Sequence, residues 1–81
     1  MDVKIAKELS EKYSKKANDR NLKCAIRSIN IGIKRRCKQG FSSYSYMAFE
    51  LKDEVKAKVV ENYSNKGFKV ELIGNRIFIG W

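Results

Sequence analysis

Apolar residues recur at three- and four-residue spacing through Leu22, Ala25, Ile26, Ile29, Ile33 and Cys37, the period of a helix with one buried face. They predict an amphipathic helix over 19–40, closed by Gly40 after Lys38-Gln39, where a left-handed residue suits a helix end. Upstream, Ile5, Ala6, Leu9, Tyr13 and Ala17 form a second stripe over 3–17. Continued as one straight helix, the two stripes would lie roughly 150° apart. The chain is therefore expected to break near Asn18-Asp19, two residues that favour caps. The alternative is one long helix that serves two contacts, the second with a partner subunit.

Residues 41–49, FSSYSYMAF, are rich in strand-favouring aromatics and have no helical period. Tyr44, Tyr46 and Ala48 share one face, with Ser43, Ser45 and Met47 on the other; the pattern does not say which is buried. A helix opening at Lys52 or Asp53 carries Val55, Val59, Val60 and Tyr63 and closes at Gly67. FKVELI, Gly74-Asn75 and RIFIGW then spell a two-residue hairpin. Its register sets Phe68 opposite Trp81, Val70 opposite Ile79 and Leu72 opposite Ile77, all on one face. Lys69, Glu71, Ile73, Arg76, Phe78 and Gly80 fall on the other. The expected order is ααβαββ, an α+β fold. Its small, antiparallel-containing three-stranded sheet carries the helices on one face, in a single domain over 1–81. Residues 1–18 are the part able to pack separately.

Charge alters this picture most. The 81 residues carry a net +9, and residues 1–40 hold twelve Lys and Arg against four acids. Residues 41–81 hold six against five. A half so basic implies an anionic partner, although cations at a helix C-terminus also satisfy the helix dipole. Arg20, Lys23, Arg27, Lys34 and Lys38 fall within roughly 60° of one another, opposite the apolar stripe. They form a cationic rail of roughly 27 Å.

Catalysis finds little footing. The chain has no histidine, so the commonest general base and metal ligand is missing. It has no glycine-rich phosphate loop, and its two cysteines alone do not make a zinc site. The expectation is a protein with no catalytic residues, no metal and no cofactor. Cys24 and Cys37, about 140° apart around one helix, cannot bond to each other within it and read as small apolar residues in a reducing compartment. No stretch is long and apolar enough to span a membrane, so the expected location is the cytoplasm and the expected partners do not include a membrane.

Anion binding has more to offer. The RRCKQG helix end leads straight into FSSYSY. It brings Arg27, Lys34, Arg35, Arg36 and Lys38, as candidates for phosphate, near Gln39, Ser43, Tyr44 and Tyr46, as candidates for a base or ribose. IRSINIGIKRRCKQG, SNKGFKV and the terminal RIFIGW together resemble small phage-encoded accessory proteins ending in Gly-aromatic-x-Val … Ile-x-Ile-x-Trp. Among these the chain is similar to anti-CBASS sponge proteins, which sequester cyclic oligonucleotide messengers of bacterial defence. The resemblance covers residues 20–81 and concerns architecture more than a diagnostic motif. It implies a homo-oligomer in the bacterial host cytoplasm that holds a cyclic oligonucleotide, or another phosphate-bearing ligand, between subunits. Arg35, Arg36 and Lys38 would meet phosphates, and Tyr44 or Tyr46 would stack on a base. Two other expectations stand beside it: a DNA- or RNA-binding protein using the whole rail, and an inhibitor that docks on an acidic host protein.

Overall fold

The computed structural model describes residues 2–81; Met1, the first residue of the expected 1–18 unit, lies outside them. The element order is α1 (Val3–Lys38), β1 (Ser43–Met47), α2 (Asp53–Asn65), β2 (Lys69–Ile73) and β3 (Arg76–Gly80). This is the expected α+β class with one helix fewer, because α1 runs unbroken through Asn18 and Asp19. These two residues cost well under 1 kcal/mol each inside a helix, and neither Gly nor Pro occurs before Gly32. The alternative of one long helix therefore holds. Asp2 opens it, its carboxylate accepting from the Ile5 N–H at 3.0 Å.

Both helices close in the same way. The Phe41 N–H reaches the Arg36 carbonyl and the Gly40 N–H that of Cys37, each at 3.0 Å. At the end of α2, Phe68 reaches Tyr63 and Gly67 reaches Ser64, each at 3.1 Å. These are Schellman motifs, whose left-handed position is taken by Gly40 at φ +82° and Gly67 at φ +91°. The side-chain contact that accompanies the motif is Arg36 over the Phe41 ring at 4.0 Å in the first case. In the second it is the edge of Tyr63 against Phe68, with centroids 5.6 Å apart.

The sheet is antiparallel in the order β1-β3-β2. The hairpin register is as the turn dictates, Val70 facing Ile79 and Leu72 facing Ile77, and Phe68 meets Trp81 edge-on at 6.2 Å. On the other side of β3, Tyr44 pairs with Ile79 and Tyr46 with Ile77. That pairing settles the faces of β1: Tyr44, Tyr46 and Ala48 turn toward the helices. The core is Ala25 and Ile29 from α1, Val55, Val59 and Tyr63 from α2, and Ala48, Ile77 and Ile79 from the sheet side. Leu22, Ile26 and Ile33 are half-buried around it. Cys37, expected in the buried stripe, is exposed, as is Cys24. Among the described residues the ion pair within reach is Lys56 with Asp53 at 3.8 Å.

Gly32 is buried in α1 because the Tyr44 ring fills the place of a side chain: a Cβ there would lie 2.3 Å from Cζ. The Tyr63 hydroxyl sits within hydrogen-bond distance of the Ile26 carbonyl (3.1 Å) and Asn30 Oδ1 (2.7 Å). Burial raises the pKa of Tyr63 and of Tyr46 above the ordinary 10.0, with Tyr44 adding to both and Glu50 and Cys24 to Tyr46. Above about pH 10 the unfolded chain therefore sheds phenolic protons that the folded chain retains, and stability is expected to fall. Urea midpoints at pH 9 and pH 11 check this; an equal or higher midpoint at pH 11 would contradict it.

The molecule measures 56 × 21 × 20 Å, and the long dimension is α1. Side-chain hydrogen bonds from α1 to the start of α2 begin at Ser14, whose Oγ accepts from Lys52 Nζ at 2.8 Å, and continue at Asn18, which donates to Glu54 Oε2 at 3.4 Å. Toward the N-terminus the helix projects past the sheet, leaving Val3, Ile5 and Tyr13 exposed.

Candidate nucleic-acid interface

The expected phosphate ligands divide between two surfaces. Arg20, Lys23, Arg27, Lys34, Arg35 and Lys38 are exposed on the side of α1 turned away from the buried Ala25, Ile29 and Gly32. Lys23, Ile26, Arg27, Asn30, Ile31 and Lys34 line a shallow groove of about 460 Å³. Ile31, Lys34, Arg35 and Lys38 line a second of about 280 Å³. Ile31, 54% exposed, sits amid the cations. From Arg20 to Phe49 the chain carries seven Lys and Arg and not one Asp or Glu. Among the described residues none of these cations lies within ion-pair distance of a carboxylate. α1 runs unbroken beneath the row, and the row has no acid of its own, Asp19 bordering it one residue before Arg20 and four before Lys23.

Arg36 parts from the others. The Schellman closure turns it over Phe41, and its Nε–H donates to the Ser43 carbonyl at 3.1 Å. It thereby reaches the sheet, where it lines a cavity of about 440 Å³ with Ser43, Tyr44, Ser45, Lys69, Glu71, Phe78, Ile79 and Gly80. Of the residues assigned from sequence, the structure brings together Arg36, Ser43 and Tyr44. It sets Arg27, Lys34, Arg35 and Lys38 on the far side of α1. Gln39 is the C-cap, its N–H shared among the carbonyls of Arg35, Arg36 and Cys37, and its side chain is exposed. Tyr44 and Tyr46 are half-buried against the core. Their strand pairs with β3 at Ile79 and Ile77, and Tyr44 also reaches the wall of the sheet cavity.

Lys69, Glu71, Phe78 and Gly80 complete the cavity and are not marked by the run of residues around the helix end. Their signal lies in the hairpin alternation, which sets Phe78 and Ile73 on a mainly polar face. The strand order needed to bring Ser43 and Ser45 beside them is a tertiary fact. No three His, Cys, Asp or Glu side chains cluster as a metal site among the described residues. No helix among them is long and apolar enough to cross a membrane. Comparison with known protein families, curated proteins and solved structures finds no match.

Proposed function

We propose that the protein is a non-catalytic nucleic-acid binder that lays the outer face of α1 along a phosphate backbone. The observation that carries this is the acid-free Arg20–Phe49 stretch, whose five rail cations stand exposed on one straight face. A duplex presents one phosphate per about 1.7 Å of axis, so a rail of roughly 27 Å has many phosphates in reach. An α-helix also fits the major groove, although the outer face offers mainly cations and so favours backbone contact over base readout. A cyclic oligonucleotide needs only a compact pocket, and the rail is far longer than that.

The experiment is fluorescence anisotropy with a labelled 16-base-pair duplex and a labelled cyclic dinucleotide in parallel. Duplex binding that weakens as salt rises supports the proposal. Tight cyclic-dinucleotide binding that persists in salt, with no duplex binding, would replace it with sequestration of a nucleotide messenger in aid of a phage. Binding of neither overturns both and leaves an acidic protein as the partner.

Self-association belongs to the same proposal. The Ile5, Leu9 and Tyr13 stripe lies on the same side of α1 as the rail, turned from the core, with Ile5 and Tyr13 exposed and Leu9 half-buried. A second copy packed antiparallel over this segment would cover Ile5 and Tyr13 and send the two rails in opposite directions. Parallel packing would set cation against cation. Ile5→Lys with Leu9→Lys is expected to halve the mass found by sedimentation while helicity is kept. A monomeric mass for the unmutated chain at 0.1 mM would contradict it.

A further inference from the structure

We infer that the open face of the sheet holds a second site, one that takes an unpaired nucleobase together with its phosphate. The helices cover one face only. On the other, the cross-strand rows are Ser43–Gly80–Lys69, Ser45–Phe78–Glu71 and Met47–Arg76–Ile73. Phe78 is the centre of this face and is 38% exposed. An aromatic ring held on the middle strand and open to solvent is a stacking platform for a base.

The cavity beside it, about 440 Å³, is within the range of small-molecule sites. Its floor is Gly80. The fold does not require glycine there: its φ lies outside the left-handed region, and a Cβ would meet nothing nearer than Lys69 Cβ at 3.8 Å. A bare residue at the end of β3 forgoes side-chain packing, and here it leaves the floor open next to the ring.

The rim supplies the remaining groups. Lys69 enters no ion pair or side-chain hydrogen bond among the described residues, and Arg36 commits its Nε alone, so both can meet a phosphate. The Ser43 and Ser45 hydroxyls can donate or accept at a base edge. The Glu71 carboxylate accepts only, so it favours guanine, whose adjacent N1–H and N2–H can meet its two oxygens, and disfavours a bare phosphate ion. The cavity lies on the opposite side of the molecule from the cationic rail and is independent of it. Its ligand chemistry, a base with its phosphate, could come from a free nucleotide or from a single strand.

The test is an amide chemical-shift titration with guanosine 5′-monophosphate, a guanine-containing single-stranded hexanucleotide and inorganic phosphate. Shifts centred on Ser45, Phe78 and Gly80 with the mononucleotide identify a free-nucleotide site. The same shifts with the hexanucleotide alone identify a strand site. Equal shifts with phosphate, or none with any probe, overturn the inference. Gly80→Val, which fills the floor, and Phe78→Ser, which removes the platform from an exposed position, are each expected to weaken binding at least tenfold. Both should leave duplex binding on α1 unchanged, and an Arg20→Ala, Lys23→Ala, Arg27→Ala chain should keep the sheet-site shifts. Undiminished binding in both sheet variants would also overturn it.

Discussion

Replacing Arg20, Lys23 and Arg27 together with Ala is expected to weaken duplex DNA binding about 500-fold at 0.1 M salt, because each phosphate left unneutralised keeps counterions whose release is worth about eightfold at that concentration. All three side chains are exposed and are free of carboxylate partners among the described residues. Changes at such positions usually alter stability by no more than about 0.5 kcal/mol, so the loss would not reflect unfolding. The control removes the same amount of charge elsewhere: Lys4→Ala, Lys7→Ala and Lys12→Ala alter the overhang and leave the rail intact. If affinity follows the rail, the control should bind within a few-fold of the unmutated chain. An equal loss in both would mean that net charge, and not the row on α1, attracts the nucleic acid.

Gly32→Ala is expected to destabilise the fold by about 1–3 kcal/mol, the usual cost of overpacking a filled site. Helix propensity alone predicts the opposite, a gain of about 1 kcal/mol. The clash decides the sign, since the new methyl would lie 2.3 Å from Tyr44 Cζ and 2.4 Å from Cε1. The ring has little room to yield: its strand is hydrogen-bonded to β3 and the ring packs against the core. For a domain of this size the loss corresponds to a melting temperature lower by about 4–8 °C per kcal/mol. In a Tyr44→Leu background the same substitution should become neutral or stabilising. A raised melting temperature for Gly32→Ala in the unmutated chain would show that the ring is not clamped there.

Local signals in the sequence reached as far as local physics does. The Gly74-Asn75 turn fixes a two-residue loop, and a two-residue loop fixes which residues face each other. The register of Val70 with Ile79 and Leu72 with Ile77 is therefore legible in the chain itself. The glycine closures at Gly40 and Gly67 are legible for the same reason. The expected break at Asn18-Asp19 rested on the premise that the chain must bury both apolar stripes itself. In the structure the first stripe is not buried by its own chain, and a continuous helix is the result. The faces of β1 depended on its pairing with β3, a contact between residues 29 to 37 positions apart, which periodicity does not encode. Tyr44 and Tyr46 consequently stand in the half-buried layer against the core, with Tyr44 also lining the sheet cavity. The rail was legible because the cations on one helix face need no tertiary information; the sheet cavity was not, because three strands and a helix end have to meet to form it.

The most direct test is the salt dependence of binding to a 16-base-pair duplex, measured by anisotropy from 50 to 200 mM salt. Five rail cations engaged with phosphate give a slope of about −4.5 in log affinity against log salt, and a loss of about 500-fold across that range. A slope near zero, or no binding at 50 mM, would contradict a phosphate-tracking role for α1.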